Sequence, residues 1–371
     1  MTSTPTSTFF MPKVVMITGG AGFIGSNLVR WLLDSVPGIF VVNYDLLTYA
    51  GSRLNLTDVE SRFGGEGNGR YFFVNGDIRD TAMVAATLSG RGYDALGGRP
   101  IPRVDAVLHL AAESHVDRSI TGPATFVSTN VEGTLSLLTA MRAELDSRPR
   151  EFRFINVSTD EVYGSLGDDD LPFTELHPLR PNSPYSASKA GADCLVRAFV
   201  QTYGLPCITT RSSNNYGPYQ FPEKLIPFMI TRALKDQSLP VYGDGAHVRD
   251  WLHVWDHAAA LWRVLTEGQV TDEVFNIGGQ TERQNIDVVR GILAELGKPE
   301  SLIEYVADRP GHDRRYATDI GRISTWLEWT PTISFEAGLP ETVAWYKAHM
   351  RWCERVLADA HHPPVHATVA R

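Results

Sequence analysis

Val14-Val15-Met16-Ile17 is a short β-type run that leads into Gly19-Gly20-Ala21-Gly22-Phe23-Ile24-Gly25, and Ser26 to Leu33 then carries apolar residues at helical spacing. Strand, glycine turn and helix together open a doubly wound α/β unit. The glycines at 19, 22 and 25 permit a tight turn, close backbone approach to a pyrophosphate, and close packing of helix on strand. The helix N-terminus offers free N–H groups to an anion. Ile39-Phe40-Val41-Val42 reads as the next strand and delivers Asp45, twenty residues beyond Gly25. That acid is expected to accept hydrogen bonds from the adenosine ribose and to repel a 2′-phosphate. Leu46 and Leu47 follow it with no arginine at hand, so the pattern favours NAD over NADP.

Working outward, further strands are expected at Tyr71 to Val74, Val104 to Leu110, Phe152 to Val157 and Cys207 to Thr210, with helical segments between most of them. Strands alternating with helices imply a Rossmann-type, doubly wound parallel sheet. Asp77-Ile78 after the third strand is a candidate for the adenine, although a plain turn aspartate fits the spacing equally well. Ala111-Ala112 would let a cofactor lie close to the fourth strand. After Arg211 the texture changes to Gly/Pro-rich loops and shorter helices, which predicts a smaller, loop-built substrate domain. Val274 to Ile277 could return to the main sheet, so the two domains are expected to interleave. The division is a flexible extension at 1–10, a dinucleotide-binding domain at 11–211 with 253–279, a second domain at 212–252 and 280–358, and a tail at 359–371. Segments 64–69 and 90–102 read as surface loops.

The formal charge of −9 argues against nucleic acid or an anionic membrane as the main partner. Only Cys194, Cys207 and Cys353 are present, with no metal-ligand spacing, which suits a reducing, cytoplasmic setting without disulfides or a metal site. The first residues lack the basic and apolar regions of a signal peptide. No run approaches the roughly 20 apolar residues of a membrane helix.

The chemistry is concentrated in Ser158-Thr159-Asp160-Glu161-Val162-Tyr163-Gly164 and Tyr185-Ser186-Ala187-Ser188-Lys189. At i,i+4 on a helix, Tyr185 and Lys189 share a face. The ammonium is expected to draw the phenol's pKa down from about 10, making Tyr185 a base toward an alcohol. Oxidising an alcohol does not need Asp160 and Glu161 beside it. Two extra carboxylates point to a second acid/base reaction, such as an elimination. Taken alone, Tyr-x-x-x-Lys is an ordinary helix surface and Asp-Glu an ordinary turn. Their convergence at the carboxyl end of a parallel sheet is what gives them weight.

Together with Leu47-Thr48-Tyr49-Ala50-Gly51, the run Leu110 to Ser119, Ser213 to Tyr219, Phe221 to Pro227, Arg249-Asp250-Trp251-Leu252 and Asp308 to Asp313, these motifs resemble the extended short-chain dehydrogenase/reductase family. Within it the similarity is to the 4,6-dehydratases of nucleotide sugars, from about Lys13 to about Trp345. The resemblance implies a hydro-lyase that binds NAD through Gly19, Gly22, Phe23, Ile24, Gly25, Asp45, Thr48, Asp77, Ile78, Ala111, Ala112, Tyr185 and Lys189. It implies a redox triad of Thr159, Tyr185 and Lys189, with Asp160 as acid and Glu161 as base of the elimination. It also implies dTDP-glucose as substrate, contacted by Ser114, His115, Thr159, Asn214, Lys224, Leu225, Arg249, Asn285, Asp308, Arg309 and His312, with Arg249 on the diphosphate. A homodimer is implied through the helices before Asp146 and after Tyr185. The family usually carries a lysine where Leu46 stands and an acid where Trp255 stands. A 4-epimerase of the same fold would need no elimination pair, and a dinucleotide sensor without chemistry would need neither pair.

Overall fold

The computed structural model describes residues 9–269, 273–308 and 311–361. Seven strands form the central sheet in the order β10-β6-β5-β4-β1-β2-β3. They are β1 (Val14–Thr18), β2 (Phe40–Asp45), β3 (Tyr71–Asn75), β4 (Ala106–His109), β5 (Arg153–Thr159), β6 (Cys207–Ser212) and β10 (Glu273–Ile277). Every pairing among them is parallel. Such a sheet is covered on both faces, which is why its strands read as unbroken apolar runs rather than alternating ones. Along β1, Val15 and Ile17 pack on one face with Leu28, Val29 and Leu32 of helix α1 (Phe23–Ser35). Val14 and Met16 point to the opposite face, against Leu137, Leu138 and Met141.

The second unit is built from β7 (Asn214–Tyr216), β8 (Leu239–Tyr242), β9 (Val248–His253), β11 (Glu282–Gln284) and β12 (Ile303–Val306). These form two small sheets, ordered β11-β9-β7 and β12-β8. It is not loop-built as expected. Ile226, Met229, Ile230, Val289, Ile292, Leu339, Val343 and Tyr346 form an apolar core of its own, supplied mainly by the helices Leu225–Leu234, Asn285–Leu296 and Phe335–Ala348.

Three boundaries differ from the sequence reading, each because of an apolar side chain. Phe10 is not part of a flexible extension; it is buried, its N–H donates to the Thr266 carbonyl, and the Arg153 guanidinium lies 4.9 Å from its ring. Residues 1–8 lie outside the described residues. Ile320, Ile323, Leu327 and Trp329, assigned to the second domain, pack in the core of the first with Leu261, Val264 and Phe275. Residues 359–361 end a helix, Met350–His361, rather than begin a tail, because Cys353 and Val356 anchor that helix; 362–371 fall outside the description. The 90–102 loop is pinned by the buried Asp94 carboxylate, which accepts from the Phe73 N–H and pairs with Arg99 at 2.8 Å.

Among the described residues no helix is long and apolar enough to cross a membrane, and all three cysteines are free.

Candidate active site

Strand order reverses in the sheet between β1 and β4, and the carboxyl ends of these strands open a crevice of the kind that holds ligands in doubly wound folds. A cavity of about 420 Å³ occupies it. Its floor is the glycine turn. Gly19 has φ +71, and a Cβ there would sit 2.7 Å from the Ala111 backbone. A Cβ on Gly25 would sit 2.2 Å from the Gly19 carbonyl oxygen. Both glycines therefore keep turn, helix and β4 in backbone contact and leave the space above free. Asp45, at the end of β2, accepts from the Ala21 N–H at 2.8 Å and the Leu47 N–H at 2.7 Å. Burial raises its pKa while those two bonds lower it.

All the sequence-chosen cofactor residues reach this cavity: Gly19, Gly22, Phe23, Ile24, Gly25, Asp45, Thr48, Asp77, Ile78, Ala111, Ala112, Tyr185 and Lys189. Asp77 is also paired with Arg79 at 2.6 Å. A narrow, glycine-floored crevice with a buried acid at one end fits an extended dinucleotide.

The reactive wall is made by two elements. β5 ends at Thr159, and a single 3-10 turn, Asp160–Tyr163, follows. The Thr159 hydroxyl accepts from the Glu161 N–H and stands 3.3 Å from the Asp160 carboxylate. Gly164, at φ +94, ends the turn where a Cβ would meet the Arg180 carbonyl at 2.6 Å. The second element is the helix Pro184–Tyr203, started by a reciprocal Ser183–Ser186 cap with Pro184 in its first turn and stopped by Gly204 in the left-handed conformation. Its buried face carries Tyr185, Ser188, Lys189, Ala192, Asp193 and Val196. Asn130 ties this helix to the loop after β4, donating to Ser188 Oγ at 2.8 Å and exchanging bonds with the Glu113 backbone.

Thr159, Asp160, Glu161, Tyr185 and Lys189 all line the cavity. Asp160 is only 1 % exposed. Burial, then the neighbouring Glu161 and Asp250, push its pKa well above the usual carboxylate range, with Arg249 opposing. One expectation is corrected here. Lys189 does not acidify Tyr185 in this structure: its ammonium donates to the Val157 carbonyl at 2.8 Å, and burial lowers its own pKa to about 8. The phenol is held well above its ordinary value by burial and then by the charge of Glu161, and the Thr159 hydrogen bond only partly offsets this.

Of the substrate candidates, Ser114, Thr159, Asn214 and Lys224 line the same cavity. The Lys224 ammonium bridges the two units by donating to the Ser114 carbonyl at 3.0 Å. His115 stands beside Glu223 at 3.6 Å. Leu225 opens the helix behind Lys224, and Asn285 opens its own helix, its N–H donating to the His247 carbonyl. Arg249 is buried and donates to the Val248, Asp313 and Arg314 carbonyls. Asp250 accepts from the Gly279 and Thr281 N–H groups. Asp308 receives His312 at 2.7 Å and His247 at 3.3 Å. The two rings stack with centroids 3.7 Å apart. Arg309 lies outside the described residues.

Tyr49, Arg79, Ser213, Asn215 and Glu223 also line the cavity and were not chosen as site residues. Tyr49, Ser213, Asn215 and Glu223 sit inside motifs that marked the site; nothing in the pattern singled out Arg79.

The family model for GDP-mannose 4,6 dehydratase matches residues 16–342. The chain is 53% identical over 356 residues to dTDP-glucose 4,6-dehydratase of Xanthomonas campestris pv. campestris (strain B100), covering 92% of this chain and 95% of that protein. The chain belongs to the dTDP-glucose 4,6-dehydratase family. A second family member, dTDP-glucose 4,6-dehydratase 1 of Escherichia coli (strain K12), is 49% identical over 366 residues, 94% of this chain and 96% of that one. The family's DesIV from Streptomyces venezuelae, a crystal structure with NAD and TYD bound, superposes with a TM-score of 0.84 at 46% identity, covering 92% of this chain and 99% of that one. The UDP-glucose 4-epimerase of Thermotoga maritima shares the fold at a TM-score of 0.78 but only 29% identity, with 91% and 99% covered.

The raised Asp160 pKa has a consequence for stability. The folded chain keeps a proton that the unfolded chain releases at its ordinary carboxylate pKa of about 3.9, so this group's contribution is favourable below that value and is lost as pH rises. Asp160→Asn keeps the shape and removes the titration. Its melting temperature relative to the parent chain should therefore climb as pH rises above about 4. A difference independent of pH contradicts the buried-acid assignment.

Proposed function

We propose that the chain converts dTDP-glucose to dTDP-4-keto-6-deoxyglucose and water, with NAD as resident cofactor. One observation carries the reading: an acid pair at the end of β5 shares its cavity with the Tyr185–Lys189 helix face and the glycine turn. NAD, when bound, takes a hydride from C4 and later supplies one to C6, and its positive ring opposes the carboxylates that hold the Tyr185 phenol protonated. The turn from Gly19 to Gly25, Asp45, Thr48, Asp77, Ile78, Ala111 and Ala112 hold it.

The chain's own groups move the protons. Tyr185 accepts the proton of the 4-hydroxyl as its phenolate, which cationic NAD would favour, with Thr159 and Lys189 orienting the ring. The resulting ketone acidifies the hydrogen on C5, and Glu161 removes it. Asp160, whose burial raises its carboxyl pKa well above the usual carboxylate range, protonates the 6-hydroxyl as it departs as water. Hydride addition at C6 then accompanies return of a proton to C5. An epimerase of this fold also oxidises C4 but has no elimination for Asp160 and Glu161 to serve. Ser114, Asn214, Lys224, Arg249 and the segment around Asp308 and His312 are the proposed contacts of the nucleotide sugar. The planar guanidinium fork of Arg249 suits the diphosphate, to which it can give paired, charge-assisted bonds.

The same reading proposes a cytoplasmic homodimer through the helices Gly133–Ser147 and Pro184–Tyr203. They lie side by side, with Arg142 stacked 3.8 Å from the Tyr203 ring, and they expose Leu135 and Tyr203. Sedimentation equilibrium should return twice the chain mass; a monomer at micromolar concentration contradicts it.

General acid and base groups contribute roughly 10²- to 10⁴-fold each, so both Asp160→Asn and Glu161→Gln should slow product formation from dTDP-glucose within that range. They should differ in one respect. The 4-keto hexose accumulating in Asp160→Asn, where Glu161 is intact, should exchange its C5 hydrogen with heavy water faster than that in Glu161→Gln. Equal exchange in the two variants contradicts the assigned roles.

A further inference from the structure

The helix Met350–His361 lies beyond the end of the family-model match at residue 342, yet it is wired to the cofactor turn. The Trp352 indole N–H donates to Asn55 Oδ1 at 3.0 Å. Asn55, only 2 % exposed, donates in turn from Nδ2 to the Ala21 carbonyl at 2.8 Å. That carbonyl also accepts from the Ser52 N–H at 3.0 Å, and the N–H of the same residue is held by Asp45. Ala21 is thus fixed at both ends between Gly19 and Gly25, with one of its three bonds depending on the orientation of a buried amide. The amide of Asn55 has its oxygen taken by Trp352 and its nitrogen by Ala21, so each contact fixes the other.

A second connection reaches the helix that starts at the turn. Arg30 of α1 donates to the Asn55 carbonyl at 2.7 Å and lies 4.4 Å from the Tyr219 ring. Tyr219, on its other contacts, packs on Trp345 at 4.6 Å and Trp352 at 5.7 Å. The last helices therefore brace both the turn and α1, whose N-terminal N–H groups face the place of the pyrophosphate.

We propose that Trp352 is a positioning residue for the cofactor: through Asn55 it holds the glycine turn in the shape that retains NAD between turnovers. This rests on NAD being the resident cofactor. A reaction that takes a hydride and gives it back in one turnover has no use for cofactor exchange, so a distant clamp on the turn serves retention rather than chemistry.

Trp352→Phe keeps the ring and deletes the donor. Loss of one such hydrogen bond should weaken NAD binding roughly three- to tenfold. The readouts are NAD retained after gel filtration and the NAD concentration needed for half-maximal turnover of dTDP-glucose. Turnover at saturating NAD and affinity for dTDP, which does not touch the turn, should stay at parent values. Asn55→Ala should weaken NAD at least as much, and adding Trp352→Phe to it should cost nothing further, because the indole no longer has its acceptor. Parent-level NAD affinity in Trp352→Phe, or additive losses in the double variant, overturns the proposal. A uniform loss of turnover, dTDP affinity and melting temperature would mark a merely structural contact and overturn it equally. Failure of the parent chain to turn over dTDP-glucose while it still binds NAD would instead count against the reaction, leaving the retention measurement intact.

Discussion

Asp160 is a carboxyl group sealed into the wall of a cavity beside Glu161, with Asp250 behind it, and it can exist there only as the neutral acid or with its charge opposed. Taking a carboxylate out of water costs several kcal/mol, and two like charges on adjacent residues add to that. The surrounding structure is arranged around this cost. Thr159 shares a short-range bond with Asp160 and caps the turn that carries it. Asp250 is itself satisfied by two backbone N–H groups on the 279–281 loop, so its carboxylate stays fixed where it disfavours a second charge. The same field holds the Tyr185 phenol protonated. The wall is thus poised to donate a proton from Asp160 and reluctant to ionise Tyr185 until positive charge enters the cavity.

Such a wall needs the end of β5, the helix Pro184–Tyr203 and the distant Asp250 to meet. The parallel sheet achieves this by placing the ends of β1, β4 and β5 side by side, and the Gly19–Ala111 contact keeps the floor thin. The second unit then closes the open side, crossing back to the first through Lys224 on the Ser114 carbonyl and Arg118 on Glu223 at 2.9 Å. Its separate apolar core lets it supply these contacts from a firm base rather than from loops.

Much of this was legible in the residues. The glycine turn, Asp45, the Tyr185–Lys189 face and the Asp160–Glu161 pair each have a local physical meaning, and local meaning survives in sequence. What was not legible depends on partners far along the chain. Phe10 looks like part of a polar extension until Arg153 and Thr266 are beside it. Residues 320–329 look like the second domain because they follow it, whereas Ile320, Ile323 and Leu327 pack on the first. The i,i+4 rule correctly placed Tyr185 and Lys189 together but gave the wrong sign for the phenol. Burial and the Glu161 carboxylate outweigh an ammonium that is already committed to the Val157 carbonyl. The link from Trp352 to Ala21 joins residues 331 positions apart by way of a third, Asn55, and no spacing rule anticipates that.

The central claim is that oxidation, loss of water and reduction occur in this one cavity on one sugar. dTDP-glucose carrying deuterium at C4 tests it most directly. The account predicts a 4-keto-6-deoxy product with that deuterium on C6, retained in ordinary water and from the same molecule that lost it when labelled and unlabelled substrates are mixed. Deuterium lost to solvent, left at C4, or scrambled between molecules would contradict it.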